Sequence, residues 1–158
     1  MLPCKQRVAG EISRGILYKS SNADLMIFSN SARMLSLDKQ DATLTVASCI
    51  EKMAECAGTD FHATFQQAEK HYKRVIILSG MQAWVGHHAP VKALHQYKKR
   101  VGALPKVFTF DLAGYGSLTF PETNVYRLAG FSDKTLETLS LLDQDHQALL
   151  RQIANVVI

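Results

Sequence analysis

Cysteine is scarce in this sequence: Cys4, Cys49 and Cys56 are an odd number with no C-x-x-C spacing. Neither a disulfide framework nor a zinc ribbon can be built from them, and a reducing, cytoplasmic compartment is the expectation. Long apolar runs are missing too. Stretches such as Val75 to Leu78 fall far short of the ~18 residues that a membrane-spanning helix needs. Met1 to Arg7 is charged and polar where an export signal carries an apolar centre, so no export is expected. Internal repeats, linkers and low-complexity stretches are also lacking, which leaves one domain over 1–158 as the reading.

What is present suits that reading. Apolar residues make up 47% and charged residues 20% of the chain, a composition that excludes disorder and fits one soluble domain. A folded chain of this length buries roughly 70% of the surface its unfolded form exposes, enough for an ordinary core. Lys plus Arg exceed Asp plus Glu by 18 to 14. The resulting mild basicity permits contact with nucleic acid or acidic lipid without requiring it.

Periodicity supplies the elements. Val8, Ile12 and Ile16 recur at four-residue steps among charged residues, predicting an amphipathic helix from about 4 to 20. Ala23 to Ser29 contains a short apolar run, as in a strand buried on both faces, and Asn30-Ser31 turns the chain into an antiparallel edge strand over Ala32 to Leu37. Asp41 precedes a helix carrying Val46, Ile50, Met53 and Ala57 that ends near Gly58. Thr59-Asp60 opens a third helix through Phe61, Phe65 and Ala68, either residue being able to cap it. Arg74 to Ser79 is a β-branched run of strand length. Met81 to His88 reads as a loop, and Pro90 suits the first turn of a helix carrying Val91, Leu94, Tyr97 and Val101. Strands at Lys106 to Phe110 and Val125 to Leu128 follow, separated by a long turn through Gly114 and Pro121. Ser132-Asp133 caps a helix to about Leu142, and a last helical stretch occupies about 144 to 156.

Helices alternating with strands predict an α/β fold: a three-layer, doubly wound, mostly parallel sheet. In such sheets ligands gather at the carboxyl ends of the strands, here Ser29-Asn30, Ser79 to Gln82 and Asp111 to Gly116.

Several constellations carry chemistry on paper. Lys92, Lys98, Lys99 and Arg100 form the densest basic cluster; it reads as a solvated helix face, with an accessory RNA contact as the functional alternative. His87, His88 and His95 lack an acidic or cysteine partner at useful spacing, so a loop pair and a surface histidine fit better than a metal site. Cys49 and Cys56 lie seven apart on one helix face and read as packing groups. Gly114-Tyr115-Gly116-Ser117 lacks the G-K-[ST] ending of a phosphate loop and reads as a tight turn. Ser79 follows a strand, but the G-x-S-x-G of a nucleophile elbow is absent. Asp111 sits where a general base or a loop cap would sit. An α/β enzyme built around Ser79, Gly80 and Asp111 is the alternative to a non-catalytic role.

A more specific signal lies in an ordered set of strings: Ala23-Asp24-Leu25-Met26-Ile27-Phe28; Gly58-Thr59-Asp60-Phe61; Arg74 to Gly80 continuing through Met81-Gln82-Ala83-Trp84; Gly114-Tyr115-Gly116; and Asn124 to Asp133. In this order and spacing the chain resembles the von Willebrand factor A-like domain of TROVE-domain proteins, the Ro autoantigen family. The resemblance covers nearly the whole chain and implies a non-catalytic, ribonucleoprotein-associated interaction module. It also implies that the family's ring-forming helical-repeat module is absent here.

Domains of that type hold a divalent cation such as Mg2+ on a D-x-S-x-S loop after the first strand, a threonine on a second loop and an aspartate on a third. Only Thr59, with Asp60 beside it, matches; the D-x-S-x-S loop is absent and Gly80 stands where the third-loop aspartate would be. The resemblance therefore implies an empty or very weak site, because a hard cation needs charged oxygens to offset its dehydration. It further implies that the family's first strand, central in the sheet order 3-2-1-4-5-6, is missing between the strands at 23–29 and 74–79. Three outcomes follow for those edges: the two strands pair directly, another chain supplies the strand, or the fragment is marginally stable. The partners expected are thus a protein or a second copy at the sheet edge, or RNA, and no membrane.

Overall fold

The computed structural model describes residues 22–36, 38, 41–53, 60–79, 90–112, 122–130, 132–144, 147, 148, 151 and 154. The helix expected over 4–20, the loops at 81–88 and 114–121 and most of the stretch after 144 lie outside them, as does the expected extension of the second helix to Ala57.

The elements, in chain order, are β1 (Leu25–Phe28), β2 (Ala32–Leu35), α1 (Thr43–Met53), α2 (Phe61–Gln67), β3 (Arg74–Ser79), α3 (Pro90–Val101), β4 (Lys106–Asp111), β5 (Val125–Ala129) and α4 (Asp133–Gln144). β1 and β2 form an antiparallel pair with Phe28 opposite Ala32. β3, β4 and β5 form a parallel sheet in that order.

Side-chain alternation along the parallel strands divides the core in two. On one face Ile77 and Val107 join Phe61 and Phe65 of α2 and Ala93, Leu94 and Tyr97 of α3. On the other, Ile76, Leu78, Phe108, Phe110, Tyr126 and Leu128 meet Leu136, Leu139 and Leu142 of α4. Helices on both faces give three layers, as the sequence predicts. β4 is the most buried strand, because it alone of the three has a ladder on both edges.

Local chemistry fixes the helix ends. Pro90 opens α3, where its missing N–H costs nothing. Gly102, at φ +64°, closes it, with the Ala103 amide donating to the Lys98 carbonyl at 3.2 Å, the Schellman arrangement that favours glycine. Ser132 caps α4 through its hydroxyl, which accepts from the Thr135 amide at 3.2 Å. At the far end of α4 the Lys106 ammonium donates to the carbonyls of Leu142 and Asp143, a cation at the negative end of the helix dipole.

β1 and β3 share a core without sharing a ladder. Met26 and Phe28 pack against the same cluster that contains Ile77 and Val107, yet the two strands belong to separate sheets. Direct pairing of these strands, one of the three outcomes expected from the sequence, is not what forms. Asp24, just before β1, accepts from Tyr72 Oη at 2.6 Å and from Lys70 Nζ at 2.8 and 3.1 Å, and both residues lie just before β3. This bridge ties the residue just before β1 to the segment just before β3.

Candidate functional site

The carboxyl ends of β3, β4 and β5 place Ser79, Asp111 and Gly130 along one edge of the parallel sheet, while Ser29 follows β1 with Asp60 beside it. The Asp60 amide donates to the Ser29 carbonyl at 2.8 Å. Asp60 is the N-cap of α2, its Oδ1 accepting from the amides of His62 at 2.8 Å and Ala63 at 3.3 Å. Its carbonyl accepts from the Thr64 hydroxyl at 3.2 Å. A cap of this kind satisfies helix amides that otherwise lack partners. Of the two residues able to cap α2, it is Asp60 that is seen doing so; Thr59 lies outside the described residues.

Ser79 and Asp111 are register partners on neighbouring parallel strands, so their side chains stand on the same face of the sheet. Asp111 is only 2% exposed. Its carbonyl accepts from the Gly130 amide at 3.1 Å, and the Ser79 carbonyl accepts from the Leu112 amide at 3.0 Å. The structure thus brings together the two residues named for the enzymatic alternative; Gly80 falls outside the described residues. Among the described residues no group of His, Cys, Asp and Glu gathers as a metal-binding cluster, and no helix is long and apolar enough to cross a membrane.

The basic cluster of α3 is divided by its surroundings. Arg100 donates through one nitrogen to the carbonyls of Phe65 at 2.7 Å, Gln66 at 3.2 Å and Ala68 at 2.7 Å, closing the carboxyl end of α2, where carbonyls lack helix partners. Lys98 is half-buried and pairs with Glu122 Oε2 at 2.6 Å, while Glu122 Oε1 stands against His95 Nε2. Lys92 and Lys99 remain exposed; seven residues apart, they share one face of the helix. His95 therefore lies beside the Glu122 carboxylate, and His87 and His88 lie outside the described residues.

A second constellation sits at the opposite, amino-terminal end of the strands. Tyr97 is fully buried, and its hydroxyl both donates to the Lys70 carbonyl at 2.9 Å and accepts from the Tyr72 amide at 3.1 Å. Tyr97 thereby holds the backbone of the two residues whose side chains bind Asp24. The Lys70 and Tyr72 hydrogen bonds hold the Asp24 carboxyl below its ordinary range. Burial, then the Asp24 hydrogen bond, push the Tyr72 phenol well above its usual value. Spacing cannot reveal this network, since its members are 25 to 48 residues apart; the nearest signal is Tyr97, legible in the sequence only as part of an apolar stripe.

No protein-family model matches the sequence, and no curated protein matches it. The structure is similar to the crystal structure of the Deinococcus radiodurans RO (RSR) protein, with 17% sequence identity, a TM-score of 0.73 and coverage of 89% of this chain. The chain spans 29% of that protein's length. The likeness shows the fold, and it agrees with the resemblance carried by the sequence motifs.

Proposed function

We propose that this chain is a non-catalytic interaction module related to Ro-type ribonucleoproteins, with a degenerate cation pocket. The observation that supports it most is the use of Asp60. Oδ1 of the carboxylate beside the one matching threonine is committed to two helix amides, and Asp111 is buried beside Ser79. Such a donor set fits a hard divalent cation poorly, because Mg2+ demands near-octahedral oxygen ligands with enough negative charge to offset dehydration. No step of the proposed role therefore passes through a metal. Thr59 and Asp60 are vestigial positions in this reading.

RNA, if bound, meets the exposed Lys92 and Lys99 face of α3, with Lys98 and Arg100 fixing that helix to the body of the protein. Contacts of this type are to phosphate, independent of sequence and strongly salt-dependent. Calorimetric titration with Mg2+ and Mn2+ tests the pocket: no saturable heat is expected, and one tight ion per chain refutes it. A gel shift with a structured RNA across salt concentrations tests the surface, with weakening in Lys92→Ala/Lys99→Ala expected and binding unchanged by the double substitution contradicting it.

The pairing of Ser79 with Asp111 favours a second reading, a small α/β enzyme at the same edge. A broad hydrolase screen separates the two: turnover lost in both Ser79→Ala and Asp111→Asn supports the enzyme, and no turnover supports the interaction module.

A further inference from the structure

The amino-terminal end of the parallel sheet gathers charge of one sign. The carboxyl ends of α2, α3 and α4 arrive there, and unpartnered carbonyls at a helix end favour cations. Arg100 meets the last carbonyls of α2, and Lys106 meets those of α4. Both partners are neutral, so no carboxylate cancels either cation. Lys73 and Lys99 are exposed and have no ion-pair partner among the described residues. Lys70, Arg74 and Lys98 are paired with Asp24, Asp143 and Glu122. Uncompensated at this end are therefore Lys73, Lys99, Arg100 and Lys106, with Glu69 as the opposing exposed acid.

An apolar tip stands among these cations. Leu104, in the turn from α3 to β4, is 80% exposed, while its neighbours Ala103 and Pro105 are buried. Gly102, at φ +64°, turns the chain just before it. A turn anchored on both sides presents its leucine as a fixed projection. Backbone hydrogen bonds set that turn beside the charges: the Lys106 amide donates to the Lys73 carbonyl at 3.0 Å, and the Ala103 amide to the Lys98 carbonyl at 3.2 Å.

We propose that this end of the molecule docks on an anionic bilayer surface, with Leu104 entering the headgroup layer and Lys73 and Lys99, backed by Arg100 and Lys106, attracted by the lipid charge. The projection decides the class of partner. A nucleic acid takes phosphate contacts and rewards aromatic stacking, and an aliphatic tip supplies neither. A protein partner needs a cavity shaped to the tip, whereas a bilayer yields around it and offers apolar depth beneath an anionic plane. The uneven charge also sets the orientation, because Asp60, Asp111 and Asp133 stand at the carboxyl end of the strands, turned away from the lipid. Surface contact of this kind needs no spanning helix. It replaces the sequence-based expectation of no membrane partner, which rested on the short apolar runs.

Vesicle sedimentation with the 158-residue chain tests this, using phosphatidylcholine alone or with about three-tenths phosphatidylserine. Binding to the serine-containing vesicles that falls with added salt is expected, and none to the neutral ones. Lys73→Ala/Lys99→Ala is expected to weaken it at least about tenfold, each cation contributing about fivefold. Leu104→Ser, which leaves every charge in place, is expected to weaken it at least about threefold. Circular dichroism checks that these variants keep the fold. Lys92→Ala, near the other end of α3, is expected to leave vesicle binding unchanged while weakening the RNA gel shift, so failure of the RNA reading and failure of this one are distinguishable. Equal binding to both kinds of vesicle overturns the proposal, as does Leu104→Ser binding like the parent. Binding to neither also overturns it, and a gel shift weakened by Lys73→Ala would then assign this end to RNA.

Discussion

Tyr97→Phe removes one oxygen and nothing else, which makes its consequence calculable. The ring keeps its place against Phe65, but the Lys70 carbonyl loses the donor at 2.9 Å and the Tyr72 amide loses the acceptor at 3.1 Å. Each buried backbone group left without a partner costs about 1 to 3 kcal/mol. The two sites here are part-buried, so water recovers some of that, and the expected loss is about 2 kcal/mol. For a chain of this length that corresponds to a fall in Tm of roughly 4 to 8 °C. Urea unfolding should show a lower midpoint at unchanged slope, since the surface exposed on unfolding is the same. The Asp24 bridge should loosen as well, because the freed segment carries Lys70 and Tyr72. A double-mutant cycle with Asp24→Asn reads that coupling, and a nonzero interaction of about 0.5 kcal/mol or more is expected. A Tyr97→Phe protein within about 0.5 kcal/mol of the parent, the range of an ordinary surface change, refutes the reasoning.

Three further outcomes follow from the same structure. Arg100→Ala should destabilise the fold by about 1 to 3 kcal/mol in chemical unfolding, by leaving the α2 carbonyls uncapped, whereas Lys99→Ala on the exposed face should change it by less than about 0.5 kcal/mol. Asp60→Ala should cost about 1 kcal/mol as a lost N-cap, with Asp60→Asn recovering most of it, measured by the same unfolding. Stability should fall at both ends of the pH range. The depressed Asp24 carboxyl contributes stability above its ordinary value near 3.8 that is lost as pH drops through its lower folded value. The raised Tyr72 phenol contributes stability below its ordinary value near 10.0 that is lost as pH rises beyond it. Asp24→Asn should flatten the acidic limb of a stability profile; an unchanged limb contradicts that assignment.

The elements were legible where periodicity was strong and a cap marked the end. Pro90 and Val101 bound α3 as their residue types predict, and β3 runs from Arg74 to Ser79 as its β-branched run predicts. The antiparallel turn from β1 to β2 was legible from Asn30-Ser31, although β2 ends at Leu35 and not Leu37. The basic cluster was legible as charge but not as architecture. Whether Arg100 faces solvent or the end of α2 depends on a contact about 35 residues away, and no local pattern encodes it. The same holds for Lys98, whose partner Glu122 arrives with the turn before β5. Asp60 was legible as a cap because capping is a local act. Pairing of Ser79 with Asp111 followed once both were placed at the ends of adjacent parallel strands, but the division of the sheet at β1 and β3 required knowing that each already had another partner.

Amide hydrogen exchange in the free 158-residue chain tests the divided sheet most directly. Val75 and Ile77 direct their amides into the β4 ladder, and Ile76 and Leu78 direct theirs away from β4. The account predicts slow exchange at the first pair and markedly faster exchange at the second. Uniform protection along β3 would mean that its second edge carries a ladder, and it would contradict the divided sheet.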